Sequence, residues 1–212
     1  MLKITILYDN TAWRNTLTAD WGFACLVQTP DKKILFDTGA KGPTLLDNMQ
    51  KLQVDPLEID TVFISHDHWD HTGGLVDFLK INPVTVYLPH GCINYGNSGK
   101  IVRIADPMEI FPGIYSTGEL HNIEQSLVIK EKDGVVVVTG CSHPGVQAIL
   151  SAASTFGNVT AIVGGLHGFD DFGLLENLET VCPTHCTRHI EKIESLFPAT
   201  FTRGGAGKVI EM

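Results

Sequence analysis

Between Ile64 and Gly74 the chain reads Ile-Ser-His-Asp-His-Trp-Asp-His-Thr-Gly-Gly, and the six positions from His66 to His71 hold three imidazoles and two carboxylates. Side chains of this kind at this density suit divalent cations. His66 and His68, two positions apart, can converge on one ion, while Asp70 and His71 turn towards a second. Neutral imidazoles with a carboxylate fit Zn²⁺, and nitrogen and oxygen donors leave Mn²⁺ and Fe²⁺ open. The plain alternative is a solvated polar turn, which would have to place five ionisable groups in six positions with no shared counter-charge.

The surrounding elements are those needed to hold such a loop. Thr61 to Ile64 is β-branched and apolar, a buried strand, and Gly73-Gly74 ahead of Leu75, Phe78 and Leu79 reads as a turn into a helix. Residues 2–8 read as an edge strand, and Phe23 to Gln28 pairs with Lys33 to Phe36 through a Pro30-Asp31 turn. Pro43 opens a helix whose Leu45, Leu46, Met49 and Leu52 share one face, and Val84 to Leu88 returns as a strand. From Pro89 to about Glu124, glycines and prolines break the pattern into short strands and loops. Tyr95, Phe111 and Tyr115 there could line a cleft, with ordinary packing as the competing account, and His90 and His121 read as surface or structural.

In the second half, Gln125 to Lys130 and Gly134 to Thr139 form a hairpin about Lys132-Asp133-Gly134, and the run Val135 to Val138 is a buried central strand. It delivers Cys141 and His143 ahead of a helix that Pro144 starts. Two further units follow: Thr160 to Val163, His167 and a helix over Phe172 to Leu178, then Thr180 to Pro183, His185 and a helix over Thr187 to Leu196. Strands near Ala199 to Thr202 and Lys208 to Glu211 close the chain. Three successive strands thus end in a histidine. Strand ends along one edge of layered sheets lie together, so His143, His167 and His185 can reach the cleft that holds His66 to His71.

The run His66-x-His68-x-Asp70-His71 resembles the signature of the metallo-β-lactamase superfamily, and the resemblance extends over nearly the whole chain. Ile34 to Gly39 is similar to the family's early strand and acidic turn. Thr139-Gly140-Cys141-Ser142-His143-Pro144-Gly145, Gly164-Gly165-Leu166-His167 and Pro183-Thr184-His185-Cys186-Thr187 resemble a narrower branch of metal-dependent hydrolases. That branch includes archaeal dihydropteroate-type synthases, which join a pterin diphosphate to an aminobenzene ribosyl phosphate. The resemblance implies an α/β fold, a four-layer αββα sandwich, over residues 1–212 as a single domain. It implies two ions, most simply Zn²⁺: His66, His68 and His143 on the first, and Asp70, His71 and His185 on the second. Asp70 would also orient a metal-bound hydroxide, His167 would meet an anionic group or act as general acid, and Asp37 would orient a ligand histidine or the water.

Four positions depart from the family pattern. Many members place a bridging aspartate where this chain has Cys141, so Cys141 is either a thiolate ligand or a buried small residue, and without the carboxylate the second ion binds more weakly. Arg188 follows Thr187 where glycine is usual, adding a cation suited to phosphate, and Glu124-Gln125 stands where the branch carries an Asp-Glu pair. Cys182 and Cys186 flank His185; the zinc-ligand reading competes with inert packing, which is preferred for Cys182. The tail Arg203 to Lys208 fails as a phosphate loop, because Thr202 replaces its first glycine and Val209 its Ser or Thr.

With 212 residues, 43% of them hydrophobic, the chain can bury one core, and a net charge of −9 with no basic run argues against a nucleic-acid surface. No apolar run reaches the roughly 18–20 residues of a membrane span, the N-terminus does not pattern as a signal peptide, and five cysteines form no disulfide framework. The expectation is a cytoplasmic enzyme. Its first reading is a hydrolase that uses a metal-bound hydroxide on a small anionic ester, lactone or phosphodiester. The alternatives are a pterin-transferring synthase, in which the ions bind the diphosphate leaving group, and a metal-binding domain without catalysis.

Overall fold

The computed structural model of the protein describes residues 1–92 and 100–212. The first half of the chain supplies β1 (Lys3–Tyr8), β2 (Ala24–Gln28), β3 (Lys33–Phe36), α1 (Gly42–Lys51), β4 (Thr61–Phe63), α2 (Trp69–Thr72), α3 (Leu75–Ile81) and β5 (Thr85–Pro89). There follow β6 (Ile101–Ile104), β7 (Met108–Phe111), β8 (Ile114–Ser116), β9 (Leu127–Glu131), β10 (Gly134–Thr139), α4 (Val146–Ala153), β11 (Val159–Gly165), β12 (Thr180–Thr184), α5 (Ile190–Leu196) and β13 (Val209–Glu211). One sheet runs β13-β1-β2-β3-β4-β5-β6 and the other β12-β11-β10-β9-β8-β7.

Alternation along the strands divides the apolar residues into layers. Val136 and Val138 of β10 join Ile4, Ile6, Cys25, Val27, Phe36 and Val163 in the core between the sheets. Val135 and Val137 face the other way, onto Ile149, Ala153, Ile162, Val181 and Ile193. The four-valine run is therefore buried on both faces, as a central strand covered by helices must be. Leu26, Leu35 and Val62 point to the outer face of the first sheet, against Leu45, Met49, Leu75 and Phe78 of α1 and α3. Helix, sheet, sheet and helix are the four expected layers.

The strand directions bring the loops together. β3 and β4 are parallel, β1 shares their direction through two antiparallel pairings, and β10, β11 and β12 are mutually parallel. Asp9, Asp37, Ser65, His143, His167 and His185 thus all follow the C-terminal ends of strands. The chain turns sharply there: Asp37, Ser142, His167 and His185 adopt φ of 49–60°. A positive φ on residues other than glycine is held only where the surroundings fix it.

Several elements differ from the sequence expectation. β1 is not an edge, because β13 pairs outside it. Residues Phe172–Leu175 make one 3₁₀ turn rather than a helix reaching Leu178. α5 starts at Ile190, since Thr187 closes a turn onto the Thr184 carbonyl through both its amide and its hydroxyl. α4 starts at Val146, after Gly145. Near Ala199 to Thr202 only Phe201 forms a bridge, to Val181. Phe111 packs on Tyr87, and Tyr115 stacks on Phe156, so both pack. Tyr95 lies outside the described residues, among which no helix is long and apolar enough to cross a membrane.

Candidate metal centre

Asp37, fully buried at the end of β3, sets the protonation of two histidines. Its Oδ2 stands 2.7 Å from His71 Nδ1, and a carboxylate only accepts, so Nδ1 carries the proton and Nε2 is left with a lone pair. The same Oδ2 accepts from Ser65 Oγ at 2.7 Å, while Oδ1 accepts from the Ser65 amide. With its proton spent on Asp37, Ser65 Oγ must accept from His66 Nδ1 at 2.8 Å, and His66 Nε2 too becomes a lone pair. At the end of β1, Asn10 Oδ1 does the same for His185 Nδ1 at 2.9 Å.

Those lone pairs point into common spaces. His68 Nδ1 lies 3.0 Å from His66 Nε2 and 3.2 Å from His143 Nε2, and the three nitrogens form one group. A second group is Asp70, His71 and His185, whose ligand atoms all lie within 4.8 Å of one another. Trp21 Nε1 donates to Asp70 Oδ2 at 2.8 Å and fixes that carboxylate. His71 Nε2 is 3.2 Å from Cys141 Sγ, so Cys141 lies inside the cluster.

The chemistry of this donor set fits divalent cations. His185 Nε2 is buried without a hydrogen-bond partner; the nearest acceptor, Asp70 Oδ2, stands 3.3 Å away, off the hydrogen-bonding direction. A lone pair facing a carboxylate oxygen in a buried place is unfavourable unless a positive charge lies between them. Zinc bonds of about 2.0–2.3 Å at tetrahedral angles set ligand atoms about 3.3–3.8 Å apart, close to the spacings here.

The electrostatics favour the neutral imidazole at His66, His143 and His185. Burial, and then the neighbouring imidazoles, push the His66 pKa well below its ordinary value. The same two causes lower His143 to about 4. Burial also lowers His185. For His71 burial works downwards, but the Asp37 carboxylate outweighs it and the net shift is upwards.

Glu124 is the residue whose part the sequence did not disclose. Fully buried, its Oε1 accepts the amides of Gly140, Cys141 and Ser142 at 3.0–3.1 Å and the Thr139 hydroxyl at 3.0 Å, and its Oε2 accepts the His143 amide at 2.9 Å. One carboxylate thus shapes the loop that carries Cys141 and His143. Gln125 anchors the opposite side through Ile64 O and Ser116 Oγ. Asp9 and Asn10 were missed as well: Asp9 Oδ1 accepts the His185 amide at 2.9 Å.

The remaining candidates fall at the rim or outside. His167 is exposed, its ring 4.9 Å from that of His143. Arg188 is exposed, its amide bonded to His167 O. His90 and His121 are on the surface, and Cys182 is buried between the sheets. Cys186 joins Cys141 and His185 in a further group of facing ligand atoms.

Residues 22–147 match the family model of the metallo-beta-lactamase superfamily, and the chain belongs to that superfamily. It is 27% identical to the 7,8-dihydropterin-6-methyl-4-(beta-D-ribofuranosyl)-aminobenzene-5'-phosphate synthase of Methanocaldococcus jannaschii, over 98% of this chain and 95% of the relative. That alignment runs to 281 positions against a chain of 212 residues, so the relative contains inserted segments that this chain lacks. Tm1679, a metal-dependent hydrolase of the beta-lactamase superfamily, matches with a TM-score of 0.83 at 28% identity, covering 100% of this chain and 99% of that one. YhfI from Bacillus subtilis, 15% identical with a TM-score of 0.72 over 100% of this chain and 99% of its own, shares the fold.

Proposed function

We propose that this protein is a metal-dependent hydrolase of a small anionic ester, lactone or phosphodiester, with His66, His68 and His143 on one ion and Asp70, His71 and His185 on a second. The observation that carries this reading is the unpartnered His185 Nε2 facing the Asp70 carboxylate, beside a second group in which His66 Nε2, His68 Nδ1 and His143 Nε2 converge. Divalent cations held there, Zn²⁺ in the first instance, would supply Lewis-acid activation of a water and of the substrate oxygen. The chain's own residues do the rest. Asp70, oriented by Trp21, takes a hydrogen bond from the attacking water, and His167 at the open rim offers a proton to the departing oxygen. Asp37, directly and through Ser65, and Asn10 keep His71, His66 and His185 in the tautomer that offers Nε2.

The similarity to the M. jannaschii synthase supports a second reading, pterin transfer with the ions on a diphosphate leaving group. The match with Tm1679 over 100% of this chain and 99% of that one favours the hydrolase, because any substrate contacts made by the synthase's inserted segments have no counterpart here. Elemental analysis of the purified protein should give two ions per chain, and His68→Ala should lose one ion and all ester hydrolysis. Retention of both ions in that variant would overturn the ligand scheme. Incubation of the loaded protein with a pterin diphosphate and the aminobenzene partner should yield no condensation product; a product would establish the second reading. Full metal content with no turnover on either substrate set would leave a metal-binding domain without catalysis.

A further inference from the structure

Two of the five cysteines stand apart from the rest. Cys25 and Cys182 pack in the core between the sheets and Cys92 packs under the first sheet's helices. Cys141 and Cys186 instead sit among imidazoles: both sulfurs and a His185 ring nitrogen lie within 4.8 Å of one another, and the Cys141 sulfur is 3.2 Å from His71 Nε2. The backbone makes special provision for this. Along an extended strand, His185 and Cys186 would point to opposite sides, but the φ of 49° at His185 turns the chain so that both reach one centre. At Gly165 a Cβ would stand 2.7 Å from the Cys186 sulfur and 2.5 Å from the Gly140 carbonyl oxygen, so glycine leaves the room that this sulfur occupies. The thiol's partners there are the Cys141 side chain, the His167 backbone and, at 3.8 Å, the Cys141 carbonyl oxygen.

We infer that Cys141 and Cys186 both ligate, as thiolates, the ion that His185 holds, which makes the second position of the proposed centre a thiophilic one. The inference rests on the metal centre of the proposed function and adds to it two ligands and a metal preference. Each thiol gives its proton to solvent as its sulfur–metal bond forms, so two protons leave per ion bound. Two sulfurs beside imidazole favour Zn²⁺, Co²⁺ or Cd²⁺ over Mn²⁺. The Cys141 thiolate would carry the single negative charge of the aspartate that many family members place there, and Cys186 would add a second.

The test is Co²⁺ titration of the reduced, metal-free protein under anaerobic conditions, read by total cobalt per chain and by the near-ultraviolet sulfur-to-cobalt charge-transfer band. We expect two cobalt ions and a band of two-thiolate intensity in the wild type, about half that intensity in Cys186→Ser and in Cys141→Ser, and none in the double variant. His68→Ala should lose one cobalt and keep the full band. Cys186→Ser should weaken Cd²⁺ at least tenfold and leave Mn²⁺ unchanged. Two bound cobalt ions with no such band, or an undiminished band in Cys186→Ser, would overturn the inference and leave the hydrolase reading standing. Failure of the wild type to bind cobalt would overturn both.

Discussion

Asp37 shows how much of the centre depends on one carboxylate that need not touch an ion. It holds the His71 proton directly and the His66 proton through Ser65, so Asp37→Asn takes away an acceptor at one oxygen and brings in a competing N–H donor. Outer-shell partners of this kind are worth about 10–100-fold in metal affinity. We expect a loss of that size on both ions, measured by competition with a chromophoric chelator; unchanged affinity would mean that the tautomers are fixed in another way. Asp9 gives a prediction in pH. Burial raises its carboxyl from 3.8 to about 6 in the folded protein, so between those values the folded chain holds a proton that the unfolded chain has lost. Its contribution to stability is complete below pH 3.8 and disappears as the pH rises through 6, an upper bound of about 3 kcal/mol. Asp9→Asn lacks that dependence. Denaturation of metal-free wild type and variant at pH 4 and pH 7 should show the wild type losing more stability on the way up, and parallel curves would contradict the assigned shift.

At the scale of elements, the centre is made by strand ends, and this was largely legible. The histidines that follow the valine strand and the next two strands lie where periodicity and order placed them, and His143 and His185 meet the loop at His66. The parts that were not legible are those whose partner is far away along the chain. Nothing local marks Glu124 as the acceptor for amides 16–19 residues later, nor Asn10 as the partner of His185, 175 residues distant. A single carboxylate or amide gives no pattern until the fold supplies its partners. Short elements were misjudged for a related reason: at Thr187 a side-chain hydrogen bond to the Thr184 carbonyl takes the place of the first helical turn. The loop after β10 tests how firmly Glu124 holds. Glu124→Gln turns an acceptor-only group, already meeting five donors, into one that presents donors of its own to buried amides. A cost of about 3 kcal/mol is expected from chemical denaturation, with weaker metal at His143, since a buried donor left unpaired costs about 1–3 kcal/mol and a charged partner raises that. A loss under about 0.5 kcal/mol would mean that water serves those amides equally well.

Across the whole molecule, the proposed ions do more than activate a substrate. His66, His68, Asp70 and His71 follow β4 in the first sheet, whereas His143 and His185 follow β10 and β12 in the second, so each ion would join the edges of the two sheets. Between those sheets the apolar core supplies the contact; at this edge Gln125 bonds Ile64 O and Asp9 holds the His185 amide, and among those ties the facing lone pairs and the Asp70 carboxylate repel until a cation lies among them. Loading should therefore stabilise the fold as a unit. Each ion that binds only the folded chain adds about 2.7 kcal/mol at a hundredfold excess over its dissociation constant, so two ions add about 5.4 kcal/mol, which for a chain of this length is roughly 10–20 °C in Tm. Treatment with a strong chelator should lower Tm by that amount and re-addition of Zn²⁺ should restore it, in a single transition, because the ligands are divided between the sheets. His68→Ala should retain only the part of the shift that belongs to the second ion. A Tm indifferent to chelation in protein shown to have carried metal would mean that the ions lie on an edge already held together by protein contacts alone.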